Sequence, residues 1–130
     1  MSVEIGMKGR AETVVTPDNT AQAAGSGLLP VFATPWMVAL MENAAVNAVR
    51  GALPAGEDTV GVLVDVKHSA ATPIGMRVWA EAEVIDVEDR QVVFSVTAFD
   101  EAGKIGGGTH ERFIIQTDKF LTRTQEKWKQ

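Results

Sequence analysis

The longest apolar pattern in the chain, over residues 35–51, has the periodicity of an α-helix. Its apolar residues recur every three or four positions and would share one face: Val38, Met41, Ala45 and Val49. Thr34 is predicted to cap this helix, and Pro35 to occupy its first turn, where an N–H is not needed. Gly51 is predicted to end it. The sequence therefore predicts one amphipathic helix with a single face for a core.

Alternation of apolar and polar residues predicts five strands around that helix. They cover residues 8–16, 59–70, 77–88, 91–100 and 104–117. Short turns join the last four strands, so these must pair antiparallel. Residues 18–30 lack periodicity and are predicted to form a long loop, either a lid or channel wall or a plain connection. A short polar helix is predicted over 118–129.

This order of elements predicts an α+β fold in which one long helix is wrapped by a five-stranded antiparallel sheet. The helix must bury its apolar stripe against the concave face of the sheet. This layout resembles the hotdog fold, whose members normally dimerise along an exposed strand edge. Because the chain contains no repeat, low-complexity tract or linker, we predict a single domain over residues 1–130 that forms a homodimer.

Composition and charge narrow the function classes. The chain has no cysteine, which excludes disulfides, thiolate metal sites and a cysteine nucleophile. The net charge of −5 argues against a nucleic-acid partner, and two histidines make a polyhistidine metal site improbable, so no metal is predicted. No apolar run reaches the roughly 18 residues of a membrane span, and the N-terminus does not resemble a signal peptide. We therefore expect a cytoplasmic protein with no membrane partner.

Glu42 is the first candidate for chemistry. It lies four residues after Val38 and three before Ala45, so it points along the apolar face of the helix. A carboxylate on a packed face must be paired, protonated or used, because burying it unpaired is unfavourable by several kcal/mol. The alternative is a glutamate at the flank of the helix that reaches solvent.

His68 and Thr34 are the other two candidates. His68 ends an alternating row of valines predicted to face inward: Val62, Val64 and Val66. Such a histidine is either a hydrogen-bonded core residue or, near Glu42, one half of an acid/base pair. Thr34 is either only a cap or, among the free N–H groups of a helix N-terminus, a group that stabilises an oxyanion.

The last predicted strand contains two further signals. Three consecutive glycines, residues 106–108, indicate a bulge or the close approach of another backbone or a ligand. Alternation then places His110 and Arg112 on one face. Arg112 would either bind a phosphate or carboxylate or pair with a neighbouring glutamate.

Three segments together resemble the small hotdog thioesterases related to fluoroacetyl-CoA thioesterase. They are residues 31–42, 67–75 and 108–112, within a match over about 28–120. The resemblance implies a catalytic set of Thr34, Glu42 and His68. It also implies that the backbone of Gly61 lies near the acyl group and that Arg112 lies near the site.

The segment before the long helix differs from the family pattern. The fluoroacetyl-CoA branch has aromatic residues there, whereas this chain has the aliphatic run 23–29, which includes Leu28. We therefore expect a flexible, aliphatic lid with Leu28 as a substrate-binding residue. The resemblance predicts the chemistry but not the fluorinated substrate.

The resulting hypothesis is a homodimeric acyl-CoA thioesterase that hydrolyses a short acyl thioester, with the site at the dimer interface. It requires no cofactor, since CoA is part of the substrate. Glu42 would act as nucleophile or as general base, and His68, from the same subunit or its partner, would assist proton transfer. The alternative is a non-catalytic module that binds acyl-CoA or a small acid. A hotdog dehydratase is a third reading, but the sequence lacks the expected Asp/His motif.

Overall fold

The computed structural model describes residues 2–129. Its main elements are β1 (Lys8–Val14), α1 (Ala21–Ala24), α2 (Thr34–Val49), β2 (Glu57–His68), β3 (Arg77–Glu88), β4 (Gln91–Asp100), β5 (Gly103–Gln116) and α3 (Thr117–Gln125). Short 3-10 turns cover Pro17–Asn19, Arg50–Ala52 and Glu126–Lys129. Across residues 2–129, no helix is long and apolar enough to cross a membrane.

The five strands form one antiparallel sheet in the order β1-β3-β4-β5-β2. Helix α2 packs across the concave face of this sheet, mainly over β1 and β3. Its buried residues are Met37, Leu40, Met41, Ala44, Ala45 and Val49. The predicted hotdog layout is therefore confirmed. Glu42 and Val38 lie at the margin of the buried stripe, where each is only partly covered.

The start of α2 differs from the prediction by one residue. The N-cap is Ala33, which makes no side-chain capping bond, and Thr34 is already helical, with Pro35 after it. The prediction that Thr34 is the cap is therefore wrong, because its hydroxyl forms a hydrogen bond to another part of the chain. Residues 18–30 are also more ordered than predicted. Helix α1 forms there, and its cap, Thr20, accepts a hydrogen bond from the N–H of Ala23 at 3.2 Å.

Strand β2 lies at the edge of the sheet, next to β5. Its register shifts between Gly61 and Leu63, and the residues at this shift are exposed. Val62 is 57% exposed and falls at the shift, so the prediction that it faces inward is wrong. Val64 is 38% exposed at the sheet edge, but it lies opposite the buried His110 and keeps the predicted face. The shift and the edge position together explain the difference, because there is no neighbouring layer to cover these side chains.

The glycines of β5 allow close packing against β2 and α2. A Cβ on Gly106 would overlap the carbonyl of Lys67 and the sulfur of Met37, and one on Gly108 would overlap the carbonyl of Asp65. The predicted close approach of another backbone is confirmed. It brings the end of β2 close against the start of α2.

Candidate active site

Thr34 and His68 form a hydrogen-bonded pair where the end of β2 meets the start of α2. The Thr34 hydroxyl oxygen lies 2.8 Å from His68 Nδ1. A pocket of about 260 Å³ opens beside the pair and is lined by α1, by the residues before α2 and by residues 69–71. Thr34 and His68, which lie on different elements of the chain, are therefore neighbours at the edge of one pocket.

The surroundings of this pair favour a neutral histidine and a negative ligand. Burial lowers the pKa of His68 from its ordinary value of 6.5, so the imidazole is neutral at pH 7. Its Nε2 is buried without a hydrogen-bond partner among residues 2–129. Because no side chain caps α2, the N–H groups of its first turn add positive potential next to Thr34.

Glu42 lies further along α2 and is paired with Arg112. Its Oε2 accepts a hydrogen bond from Arg112 Nη1 at 3.3 Å and lies 4.0 Å from His110 Nε2. The Glu42 side chain is 39% exposed, whereas that of Arg112 is 8% exposed. The carboxylate is thus held by a buried cation while it stays open to solvent.

Arg112 is anchored in the sheet as well as paired. Its Nε donates to the hydroxyl of Thr59 at 2.9 Å, and its Nη2 donates to the Thr59 carbonyl at 3.0 Å. Burial lowers the pKa of Arg112 and the negative charge of Glu42 opposes that shift, but the guanidinium remains protonated near neutrality. Of the two readings that the sequence left open for Arg112, the structure supports pairing with a glutamate.

Gly61 is the β2 residue next to the Glu42 carboxylate. A Cβ at this position would overlap Glu42 Oε2 and would press against Arg112 Nη1. Only glycine leaves room for the carboxylate to lie against the strand. Gly61 therefore belongs to the surroundings of Glu42 and not to those of His68.

Within one chain the two groups are separate. Thr34 and Glu42 are eight residues apart in α2, which is a rise of about 12 Å. The predicted approach of His68 to Glu42 left open whether His68 belongs to the same subunit or its partner; within one chain, His68 contacts Thr34. Leu28 is 87% exposed and does not line the pocket beside Thr34.

His110 is the residue near Glu42 that sequence reasoning did not select. It is fully buried, and its Nδ1 lies 2.7 Å from the carbonyl oxygen of Leu63. The sequence did contain a signal for His110, because it is two positions from Arg112 and lies on the same face of β5. Thr59, in contrast, gave no signal, because its role depends on the register between β2 and β5.

The described residues offer little to a metal ion. Within residues 2–129, no group of three or more histidine, aspartate or glutamate side chains is placed to hold one. At Glu42, the charge of Arg112 would also oppose a second cation.

Comparison with known proteins shows the family of the chain. The family model described as fluoroacetyl-CoA-specific thioesterase (FlK) matches residues 15–118. A fluoroacetyl-CoA thioesterase from Streptantibioticus cattleyicolor is 44% identical over 97 residues, which cover 75% of this chain and 70% of that protein.

Two solved structures illustrate the similarity of fold. A phenylalanine-to-alanine mutant of the fluoroacetyl-CoA-specific thioesterase, in complex with fluoroacetate and CoA, is 38% identical with a TM-score of 0.84; the match covers 91% of this chain and 99% of that one. A hypothetical protein of Thermus thermophilus, a thioesterase superfamily member, is 35% identical with a TM-score of 0.88; that match covers 98% and 96% of the two chains. The chain belongs to the family of fluoroacetyl-CoA-specific thioesterases.

Proposed function

We propose that this thioesterase hydrolyses short acyl-CoA esters to CoA and the free acid, and that Thr34, Glu42 and His68 carry the reaction. Membership of the family and the CoA complex of a relative support the substrate class. One observation supports the site above all. The chain presents two separate groups, Thr34 with His68 and Glu42 with Arg112, along an exposed strand edge.

Two copies of the chain would unite these groups. Strand β2 exposes apolar residues at an unpaired edge, and such an edge is a template for pairing with a second strand. In an antiparallel pair of β2 strands with the two-fold axis at Asp65, and with Val62 as the extra residue of the register shift, Gly61 would lie opposite His68 of the partner subunit. Neighbouring strands are about 4.8 Å apart, so Glu42 would then face the Thr34–His68 pair of the other copy. The homodimer would contain two such sites.

The composite site would hold the thioester between an oxyanion-stabilising side and a basic side. The Thr34 hydroxyl and the first-turn N–H groups of α2 would bind the carbonyl oxygen, on which negative charge develops. Glu42 would either activate a water molecule that attacks the carbonyl carbon or attack that carbon directly. The C–S bond then breaks, and the CoA thiolate leaves with assistance from His68. Thiolate is a good leaving group, so a carboxylate with oxyanion donors suffices and no cofactor is needed.

Glu42 has two available routes, and isotope labelling separates them. As general base it takes a proton from water, and the new acid receives its oxygen directly from that water. As nucleophile it forms a mixed anhydride, whose hydrolysis can leave solvent oxygen in the Glu42 carboxylate. Single turnover in H₂¹⁸O followed by peptide mass spectrometry would detect the label in Glu42 only for the second route.

Gly61, Arg112 and Leu28 would complete the substrate site. The Gly61 backbone lies against Glu42 and would border the acyl group. Arg112 would orient the carboxylate that attacks or activates water. Leu28 lies between α1 and α2 and is exposed, so we propose that it covers the acyl group as part of an aliphatic lid.

The first test is thiol release from a panel of short, branched, aromatic and halogenated acyl-CoAs. We expect Glu42→Gln to lower kcat at least about a hundredfold, because the amide cannot act as base or nucleophile. The exposed Glu88→Gln serves as the matched control and should keep the activity of the parent. A folded parent protein that binds acyl-CoA but releases no thiol from any ester would overturn the enzyme reading in favour of a binding module.

Subunit mixing tests the composite site. Glu42→Gln and His68→Ala chains are each expected to be inactive. After they are unfolded together and refolded, half of the dimers should be mixed, and each should contain one intact site. About a quarter of the parental activity should therefore return. No recovery, with mixed dimers shown by native mass spectrometry, would mean that each site lies within one chain.

A further inference from the structure

The hydrogen bonds of His110 define its protonation state. The carbonyl of Leu63 can only accept, so Nδ1, 2.7 Å away, must carry a proton and donate it. The guanidinium of Arg112 can only donate, so Nε2, 3.2 Å from Nη1, must be the unprotonated acceptor. His110 is therefore the neutral Nδ1–H tautomer.

This imidazole stands between the edge strand and the Glu42 pair. It is fully buried and stacks on Phe94 with ring centroids 6.0 Å apart. On one side it contacts the carbonyl of Leu63, at the register shift of β2. On the other side it contacts Arg112, whose Nη1 also donates to Glu42. A continuous series of hydrogen bonds thus runs from the exposed strand to the carboxylate.

We propose that His110 is a positioning residue that holds Arg112 against Glu42, and that only its neutral Nδ1–H form does so. This role rests on the proposed function of Glu42. His110 lies 4.0 Å from Glu42 and does not touch the reacting atoms. It acts by fixing the direction in which Arg112 presents its Nη1 hydrogens.

Protonation of His110 would change the partner of Glu42. A proton on Nε2 removes the acceptor of Arg112 and places two cations side by side. The new N–H would point towards Glu42 Oε2, so an imidazolium would compete with Arg112 for the carboxylate.

Burial lowers the pKa of His110 below 6.5, and the charge of Arg112 adds to this effect. The Leu63 carbonyl, Glu42 and Glu111 oppose it. The neutral form therefore prevails at pH 7, and the change of partner is expected only on acidification below the ordinary value of 6.5.

Two amide substitutions separate the contacts of His110. In His110→Gln, the side-chain oxygen reaches the position of Nε2, accepts from Arg112 and does not ionise. In His110→Asn, the amide nitrogen takes the place of Nδ1, but nothing reaches Arg112. We expect His110→Gln to keep kcat within about threefold of the parent, and His110→Asn to lose at least about tenfold in kcat with little change in KM.

The pH profile and a direct spectrum complete the test. Below pH 6.5, kcat of His110→Gln should fall less than kcat of the parent, because glutamine does not ionise. Equal losses in both variants, or parental kcat in folded His110→Asn, would overturn the proposal.

Because the chain has only two histidines, long-range ¹H–¹⁵N spectra of both rings can be assigned with His110→Gln. At pH 7, His110 should show a protonated Nδ1 and a bare Nε2, and any other state would overturn the proposal. The spectrum remains decisive if the parent hydrolyses no thioester, a result that would refute the proposed function alone.

Discussion

The two halves of the candidate site are built in different ways. Thr34 and His68 contact each other directly, at the start of a helix and the end of a strand, beside an open pocket. Glu42 depends instead on a buried residue, Arg112, which is anchored in turn by Thr59 and His110. The first half uses the polarity of a helix terminus, and the second uses charges placed inside a sheet.

This difference shows where each half is vulnerable. The Thr34–His68 pair needs only two side chains and a nearby helix end, so a conservative change there should be tolerated. The Glu42 group needs a protonated arginine, a neutral histidine and a glycine in fixed positions. A small displacement of one member is passed to the carboxylate, because a packed interior transmits strain.

The largest effect is expected from separating the two halves. Val62→Arg places a charge on the exposed edge of β2, where it should block strand pairing without disturbing the core. If the site is composite, the monomer should lose about a thousandfold in activity through lost positioning. Light scattering and thiol release would be measured together. Ile85→Arg, at an exposed position on β3, is the control that should keep both mass and activity. A fully active Val62→Arg monomer would contradict the composite site.

A smaller effect is expected from displacing Glu42 within its own half. In Gly61→Ala the new methyl group would overlap Glu42 Oε2, and the carboxylate must move away from Arg112. A shift of about 1 Å can lower a rate by a hundredfold, and we expect a loss of that order in kcat. Gly51→Ala is the matched control, because a Cβ there meets open space. Parental kcat in Gly61→Ala would show that the position of Glu42 against β2 is unimportant.

The smallest effect is expected at Thr34. Thr34→Val removes the hydroxyl and should lower kcat about tenfold, since the N–H groups of the first turn still stabilise an oxyanion. Thr34→Ser keeps the hydroxyl next to His68 and should remain within about threefold of the parent. Steady-state kinetics on one acyl-CoA would measure both variants. If Ser and Val were equally impaired, the methyl group and not the hydroxyl would be the important part of Thr34.

The sequence predicted the order of the elements well because that order depends on local patterns. The bounds of Arg77–Glu88 and Gln91–Asp100 were predicted to the residue, since alternation and turn signals are strong there. The predicted inward position of Val62 failed because the register shift near Gly61 is not visible in an alternating pattern. The prediction that Thr34 is a cap failed because its hydroxyl pairs with His68, which is 34 positions away in the sequence and is not visible in a local pattern.

The site was predicted in its residue types more than in its contacts. The periodicity of α2 pointed to Glu42, and the alternation along β2 pointed to His68. Neither indicated that these two residues have different neighbours in one chain. Which residue contacts Glu42 depends on where β5 lies relative to α2, and this brings Arg112 within 3.3 Å. Alternation placed His110 on the same face as Arg112, but only its hydrogen bonds to Leu63 and Arg112 revealed that its ring must be neutral.

The pairing of β2 with β5 has a consequence for how the molecule folds. Strands β3 and β4 pair residues at most 22 positions apart, whereas β2 pairs with β5 across 38 to 59 positions. Closing a longer loop is entropically more demanding, so the β3–β4 hairpin is expected to form first. Strand β2 is expected to join later, as is β1, whose pairs with β3 span 63 to 75 positions. Gly61 and His68 both lie on β2, one of these late strands. The chain would therefore gain its complete set of reactive groups only after β2 has joined the sheet, so that folding itself controls the onset of hydrolysis.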